Sequence, residues 1–357
     1  MILRAERPDA SPFLHWHWFD RFWEEMVPGE GAAVIAVWRE GRLIGAAPVV
    51  AIRKRAAGIS YPAVTGMENA HTSGYEWLLA ADAERAADAA REIAGAIMEL
   101  AGRNGAVSWR NAPRRSTATD LARSALDAAG RRVMWRAERP HRVVHFPDGA
   151  DALLASFSPN MRARLRKSSR RLERMGAVRF EEVSRAANLD ARLAAAWELE
   201  SRGWKGRSGT AVARDERIRR FYDSLAFSLV SERRFTLFEL ACGDKLVAFL
   251  YGLVEGTKLY GLKFSYDTDF SRVSAGHLII WRVVEWAGER GIHWLDLGRD
   301  SEFKSHWNGE LVEMGAVGGI PGGFRGAIAM LGLVGWPAVV RRLHRHGSGP
   351  RDVPRAP

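Results

Sequence analysis

Cysteine is almost absent: Cys242 is the single one in 357 residues. No disulfide can therefore form within the chain, and a cysteine-based zinc site lacks its ligands. That usage fits a reducing compartment, so a cytoplasmic protein is expected. Long uncharged apolar runs are missing too, and none reaches the roughly 18 residues that a spanning helix requires. The leading MILRAERPDASPF has neither an apolar run nor a small-residue cleavage site, and is not read as a secretory signal. No glycine-rich stretch carries a P-loop lysine, and no G-x-S-x-G surrounds a serine. His15 and His17 fall inside an aromatic helical pattern. Neither a metal nor a nucleophilic serine is expected.

Apolar mass and positive charge are abundant. Hydrophobic residues make up 47% of the chain and include 14 Trp, enough for a packed core. The net charge is +11 and the isoelectric point about 10.2. Such a balance favours anionic partners: a phosphorylated cofactor, nucleic acid or an acidic membrane.

Along the chain, SPFLHWHWFDRFWEEM (11–26) places Trp16, Phe19 and Trp23 at helical spacing behind a Ser-Pro start. Val34–Trp38 and Leu43–Ile52 alternate as a hairpin turned at Glu40-Gly41. Residues 82–102 form a helix with Ile93, Ile97 and Leu100 on one face, and 119–129 another. The second half repeats the theme. Helices over 189–203 and 215–232 precede three strands turned at Gly243-Asp244 and Glu255-Gly256. A helix over 278–290 and a strand over 293–297 then give a strand–helix–strand crossover. VIAVWREGRLIGAAPVV and TLFELACGDKLVAFLYGL match in pattern, which indicates a duplicated unit. The expected divisions are 1–147, 148–320 and an apolar, basic end over 321–357. That end is either a docked helix or an in-plane membrane contact through 327–345, with a disordered tail.

Two segments carry the charge argument. Ser158-Pro159 starts a helix over 159–175 with Met161, Leu165, Leu172 and Met175 as its apolar stripe. Arg162, Arg164, Arg166, Lys167, Arg170, Arg171 and Arg174 fill most other positions, either as a solvated face or as a polyanion contact. In KFSYDTDFSRVSAGHLIIW (263–281) a strand passes through small residues into a helix. Its first N–H groups are either plainly capped or hold a phosphate.

Taken in order, SPFLHWHWFDRFW, SPNMRARLRKSSRRLERMG, ELESRGWKGRSGT, YGLKFSYDTDFSRVSAGHLI and LDLGRDSEFKSHWN resemble the CelD-like acetyltransferases. These belong to the GNAT superfamily of acyl-CoA N-acyltransferases and are related to FemAB-like transferases. The resemblance spans roughly residues 11–315. It implies an α/β (α+β) chain of two tandem GNAT-like folds, with mixed, mostly antiparallel sheets flanked by helices. The first would be degenerate and the second would hold acetyl-CoA or another acyl-CoA. An amine acceptor follows from the same resemblance, from small molecules to envelope or exopolysaccharide precursors. An aminoacyl-tRNA donor and a non-catalytic CoA-binding module are the alternatives.

The resemblance also assigns residues. Arg272, Ser274, Ala275, Gly276 and His277 would form the pyrophosphate loop, in a drifted form of the family motif. Amine attack on a thioester needs a base, donors for the carbonyl oxygen and a fate for the thiolate. Asp296, Tyr266, Glu200 and Lys304 are the catalytic candidates. Trp204, Lys205, Asp267 and Glu302 are the acceptor-side candidates. Asp296 also reads as a structural cap, Trp204 as a packing residue and His277 as a solvent-facing first-turn residue. Phe303 stands where the family often has a tyrosine acid.

Overall fold

The computed structural model describes residues 11–27, 31–56, 58–69, 71–185 and 187–321, apart from the side chains of Ala56 and Trp204. The apolar, basic end beyond 321, whether docked helix or membrane contact at 327–345, lies outside the described residues. Among those described, no helix is long and apolar enough to cross a membrane.

A short 3-10 turn, Pro12–Leu14, leads into helix α1 (Trp16–Met26). Strands β1 (Ala32–Arg39) and β2 (Arg42–Ala56) form the expected hairpin. Its turn residues Glu40 and Gly41 both have positive φ, 52° and 73°, as a tight two-residue hairpin turn demands. Then come β3 (Ile59–Gly66), β4 (Leu78–Leu79), α2 (Ala83–Ala101), β5 (Ala106–Pro113), α3 (Thr117–Ala128) and β6 (Arg132–Ala137). Asp82 caps α2 through the Arg85 N–H, and Gly102 ends it at φ 67°.

The first half closes with β7 (His141–His145), and the second opens with α4 (Gly149–Ser156), α5 (Pro159–Glu173), β8 (Val178–Val183), α6 (Leu189–Arg202), α7 (Trp204–Arg207) and α8 (Glu216–Val230). It continues through β9 (Phe235–Cys242), β10 (Lys245–Glu255), β11 (Lys258–Tyr266), α9 (Ala275–Gly288), β12 (Trp294–Arg299), α10 (Glu302–Ser305), β13 (Glu310–Val312) and β14 (Met314–Ile320).

Two seven-stranded sheets result. The first runs β1-β2-β3-β5-β14-β6, with β4 on β2; the second runs β13-β7-β12-β11-β10-β9-β8. Each has one parallel pair, β3 with β5 and β11 with β12, and is otherwise antiparallel. The sheets therefore do not divide the chain at one point. β14 sits between β5 and β6 of the first sheet, while β7 sits between β12 and β13 of the second. Each sheet borrows one strand from the other half of the chain.

The cores follow the sheets. α2 and α3 cover one face of the first sheet. α4, α5 and α9 cover one face of the second, and α6, α8 and α1 the other. The spacing in 11–26 is helical, but the face differs from the expected one. Trp16 and Trp23 are exposed, and Trp18 and Phe22 are buried. The 3-10 turn delays the helix to Trp16, so Trp18 meets Phe221 of α8 edge-on at 5.1 Å. Leu100 and Met175 are likewise exposed rather than on their helices' buried stripes. Leu100 is on the solvent side of α2 beside buried Ala101, and Met175 follows Arg174, the C-cap of α5.

A chain cut after residue 140 lacks β14 and leaves β5 and β6 without the strand between them. It is expected to show no cooperative thermal transition by circular dichroism. A cooperative transition in that fragment would contradict the interlocking.

Candidate active site

Parallel β11 and β12 pair over three residues: Lys258 with Trp294, Leu259 with Leu295 and Tyr260 with Asp296. There the pairing ends, although β11 runs on to Tyr266 and β12 to Arg299. Two irregularities accompany the parting. In β11, Gly261 faces Gly252 while Lys263 faces Tyr251, so Leu262 bulges out of the ladder. In β12, the register with β7 slips between Asp296 and Arg299, where Gly298 has φ 73°. A side chain at 261 would stand 3.2 Å from the Asp296 carbonyl, so glycine permits the last close approach.

α9 starts at the open side of this splay. Ser274 is left-handed, φ 49° and ψ 42°, and gives no side-chain cap. Its N–H goes to the Ser271 carbonyl, and the His277 N–H goes to the Ser274 carbonyl. The first-turn donors that the helix leaves over are those of Ala275 and Gly276. A Cβ at 276 would lie 3.0 Å from Tyr266, 3.1 Å from Phe264 and 3.3 Å from Phe303. Close packing on these rings is what requires glycine there. α5 borders the same point. Arg164 Nη1 lies 3.4 Å from His277 Nε2, and Arg171 Nη1 donates to the Arg272 carbonyl at 3.2 Å. His277 is buried and stacks on Phe303 at 4.3 Å; its Nδ1 has no partner among the described residues. Free N–H groups, an orphaned ring nitrogen and clustered arginines fit a phosphate-bearing ligand.

At the vertex of the splay, Asp296 is buried and accepts from His141 Nδ1 at 3.1 Å and from the Gly298 N–H at 2.6 Å. The pair lines a cavity of about 330 Å³ between the two sheets, together with Glu76, Trp77, Tyr260 and Trp294. The carboxylate fixes the proton on Nδ1, so Nε2 carries the lone pair.

A lysine cluster flanks the same vertex. Lys304 Nζ donates to the Arg299 carbonyl at 2.7 Å, and burial brings its pKa down to about 8. Lys205 Nζ bridges Glu200 Oε1 at 2.7 Å and the Phe264 carbonyl at 2.8 Å. Glu200 is fully buried, and its other oxygen accepts the Val212 N–H at 2.7 Å. With both oxygens engaged, it acts as an anchor for Lys205. Lys263 Nζ meets His71 Nδ1 at 3.0 Å and the Tyr222 ring at 4.8 Å. Burial, with the charge of Lys205, lowers Lys263 to about 7.

The remaining sequence candidates divide. Tyr266 packs against Gly276 at the open end of β11. Asp267 caps the 3-10 turn Thr268–Val273 through the Asp269 N–H, and Glu302 is exposed at the start of α10. The Trp204 side chain lies outside the described residues. His141, His71 and Lys263 escaped the sequence reading. His141 and Lys263 look like ordinary alternating strand residues, and only the partner strand reveals what they face.

Residues 159–305 match the family described as the acetyltransferase (GNAT) domain. No curated protein matches the chain. In structure, the chain is similar to FemX (TM-score 0.61, 15% identity, over 88% of this chain and 94% of that one). It is also similar to a conserved protein of unknown function from Bacteroides thetaiotaomicron (0.58, 11%, 89% and 95%). A third is a C-terminal domain assigned to a lysylphosphatidylglycerol synthetase of Agrobacterium fabrum (0.54, 15%, 86% and 88%). At these identities the likeness is one of fold.

His71 and His277 fold as neutral imidazoles, pushed by burial to about 3 and about 4. Unfolded, both titrate near 6.5. Below that value the unfolded chain takes up protons that the folded chain refuses, so stability falls as the pH drops toward the folded values. At about pH 5 this amounts to ~2 kcal/mol per histidine. Urea unfolding at about pH 7 and about pH 5 is expected to show a smaller acid loss in His71→Asn and His277→Asn than in the parent. An equal loss would contradict the neutral assignment.

Proposed function

We propose that the chain is an acyl-CoA-dependent N-acyltransferase that acetylates, or acylates with a longer chain, a primary amine. The observation that carries this is the three-residue pairing of β11 and β12. It opens a slot with the start of α9 on one side and the Asp296–His141 pair at its vertex. The GNAT match over 159–305 supports the same reading.

The pyrophosphate would lie against the Ala275 and Gly276 N–H groups, beside Arg164, Arg171 and Arg272, with the pantetheine arm between the parted strands. The thioester then reaches the vertex. His141 Nε2 takes a proton from the incoming ammonium, and Asp296 stabilises the imidazolium that forms. The free amine attacks the thioester carbon, and the carbonyl becomes an oxyanion beside the Lys304 ammonium. Collapse breaks the C–S bond. The nitrogen sheds its second proton as the thiolate is protonated, leaving amide and thiol. No tyrosine acid is required at position 303, where Phe303 instead wedges between Phe264 and His277. The acceptor would enter through the cavity between the sheets, and an amine on a small molecule or an envelope or exopolysaccharide precursor fits its size.

A second reading keeps the fold and changes the donor to aminoacyl-tRNA. It is favoured by the exposed Arg164, Arg166, Lys167, Arg170 and Arg171 of α5 beside the donor slot. RNase-sensitive turnover with a steep salt dependence would select it.

Transfer from labelled acetyl-CoA to amines of a cell extract, read by mass spectrometry, tests the main reading. Asp296→Asn and His141→Gln are each expected to lower turnover by about 10²-fold or more while calorimetric acetyl-CoA binding persists. Unchanged turnover in both variants would exclude the dyad as the base. Absence of acetyl-CoA binding to the parent protein at millimolar concentration would sink the donor assignment.

A further inference from the structure

The seam between the two sheets holds more positive charge than it balances. Four cations gather there: Lys205, Lys263, Lys304 and Arg299. They act on one another and on His71. Beyond burial, the main cause in each case, the charge of Lys205 lowers the pKa of His71, Lys263 and Lys304, and Lys263 and Arg299 lower that of His71. Two carboxylates answer the four cations, and both are committed. Glu200 is held by Lys205 and the Val212 N–H, Asp296 by His141 and the Gly298 N–H. Two more carboxylates lie further out. Asp300 is bound to Arg142 at 2.9 Å, and Asp215 caps α8.

Among the described residues, only Lys205 of the four forms an ion pair; Lys304 and Arg299 donate to oxygens instead, and Lys263 has neither an ion pair nor an oxygen acceptor. Its Nζ meets a neutral imidazole and an aromatic face. A recessed ammonium in that state is costly unless a counter-ion arrives. Yet the group is not sealed off. Lys263, Lys205, Lys304 and His71 each keep part of their surface exposed. Lys263 also sits directly after the β11 bulge, and Lys205 grips the carbonyl of the next residue, Phe264. An anion here would lie beside the parted strands.

We propose that Lys263, with Lys205 and His71, forms a binding site for an anionic group of the acceptor, a carboxylate or a phosphate. Only the word acceptor rests on the acyltransferase reading; the anion site stands on the charge arrangement. The site favours an amine whose anionic group lies a few bonds away. It disfavours polyamines, whose second ammonium would face three lysines.

Labelling of Lys263 with isotope-coded acetic anhydride, followed across pH by peptide mass spectrometry, reads its protonation directly. Without added anion, the apparent pKa is expected at about 7. Phosphate or succinate is expected to raise it by about one unit and slow labelling near neutral pH up to about tenfold. Chloride at matched ionic strength is not. The stronger of the two anions tells phosphate from carboxylate. A thermal upshift by the same anion should vanish in Lys263→Met and return in Lys263→Arg. Labelling indifferent to both anions overturns the proposal, as does an upshift that survives in Lys263→Met. Coenzyme A is titrated separately into the parent protein. If it fails to bind while anions still protect Lys263, the donor reading falls and the anion site stands.

Discussion

Two parallel strands that pair for three residues and then part are the constraint from which the rest follows. Beyond Tyr260 and Asp296, β11 and β12 give up ladder hydrogen bonds, which a sheet interior does not surrender without replacement. The replacements are visible. Lys205 donates to the Phe264 carbonyl, Lys304 donates to the Arg299 carbonyl, and Phe303 stacks between Phe264 and His277 at the start of α9. α9 can start beside the opening because the chain turns through left-handed Ser274. The same parting places the Asp296–His141 pair at the vertex, where a reacting atom would have to sit.

The first sheet shows the same framework without the opening. β3 and β5 also pair in parallel over three residues, Ala63–Thr65 with Ala106–Ser108. There, the ring of Tyr75 and the Cβ of Trp109 pack against Gly66 where β3 ends, and the Tyr75 hydroxyl donates to the Pro48 carbonyl. The reciprocal exchange of β7 and β14 ties the filled unit to the open one. It also delivers His141, on the exchanged β7, to Asp296. The proposed catalytic pair, built across the exchange, depends on both halves of the chain.

How much was legible in the sequence depended on how local the cause was. The hairpin turns at Glu40-Gly41 and Gly243-Asp244 were readable because positive φ has a residue signature, and the third turn falls one residue later than expected, at Gly256-Thr257, since Glu255 still pairs with Lys258. The strand–helix–strand crossover around α9 was readable from its apolar pattern. The inward face of α1 was not, since the 3-10 turn that sets its phase is held through Phe13 against Trp18 and the distant Tyr260. The place of β14 in the other sheet was not legible either. Nothing in MGAVGGI says which strands it will join. The same holds for Asp296. Its position at the end of LDLG was visible, but its partner comes from 155 residues away. Lys263 looks like any strand lysine until Lys205, His71 and Tyr222 are assembled around it.

Charge ties these parts together. The outer arginines of α5 surround a helix start that offers free N–H groups, while the inner lysines border the vertex. One surface suits a phosphate-bearing donor, and the other lies where chemistry would occur. Hydrogen exchange measured with and without saturating coenzyme A tests this arrangement most directly. The account predicts slowed exchange at residues 275–277, along β11 beyond Tyr260 and at 297–299, with the first sheet unchanged. Saturating binding that leaves those three segments unprotected would contradict it.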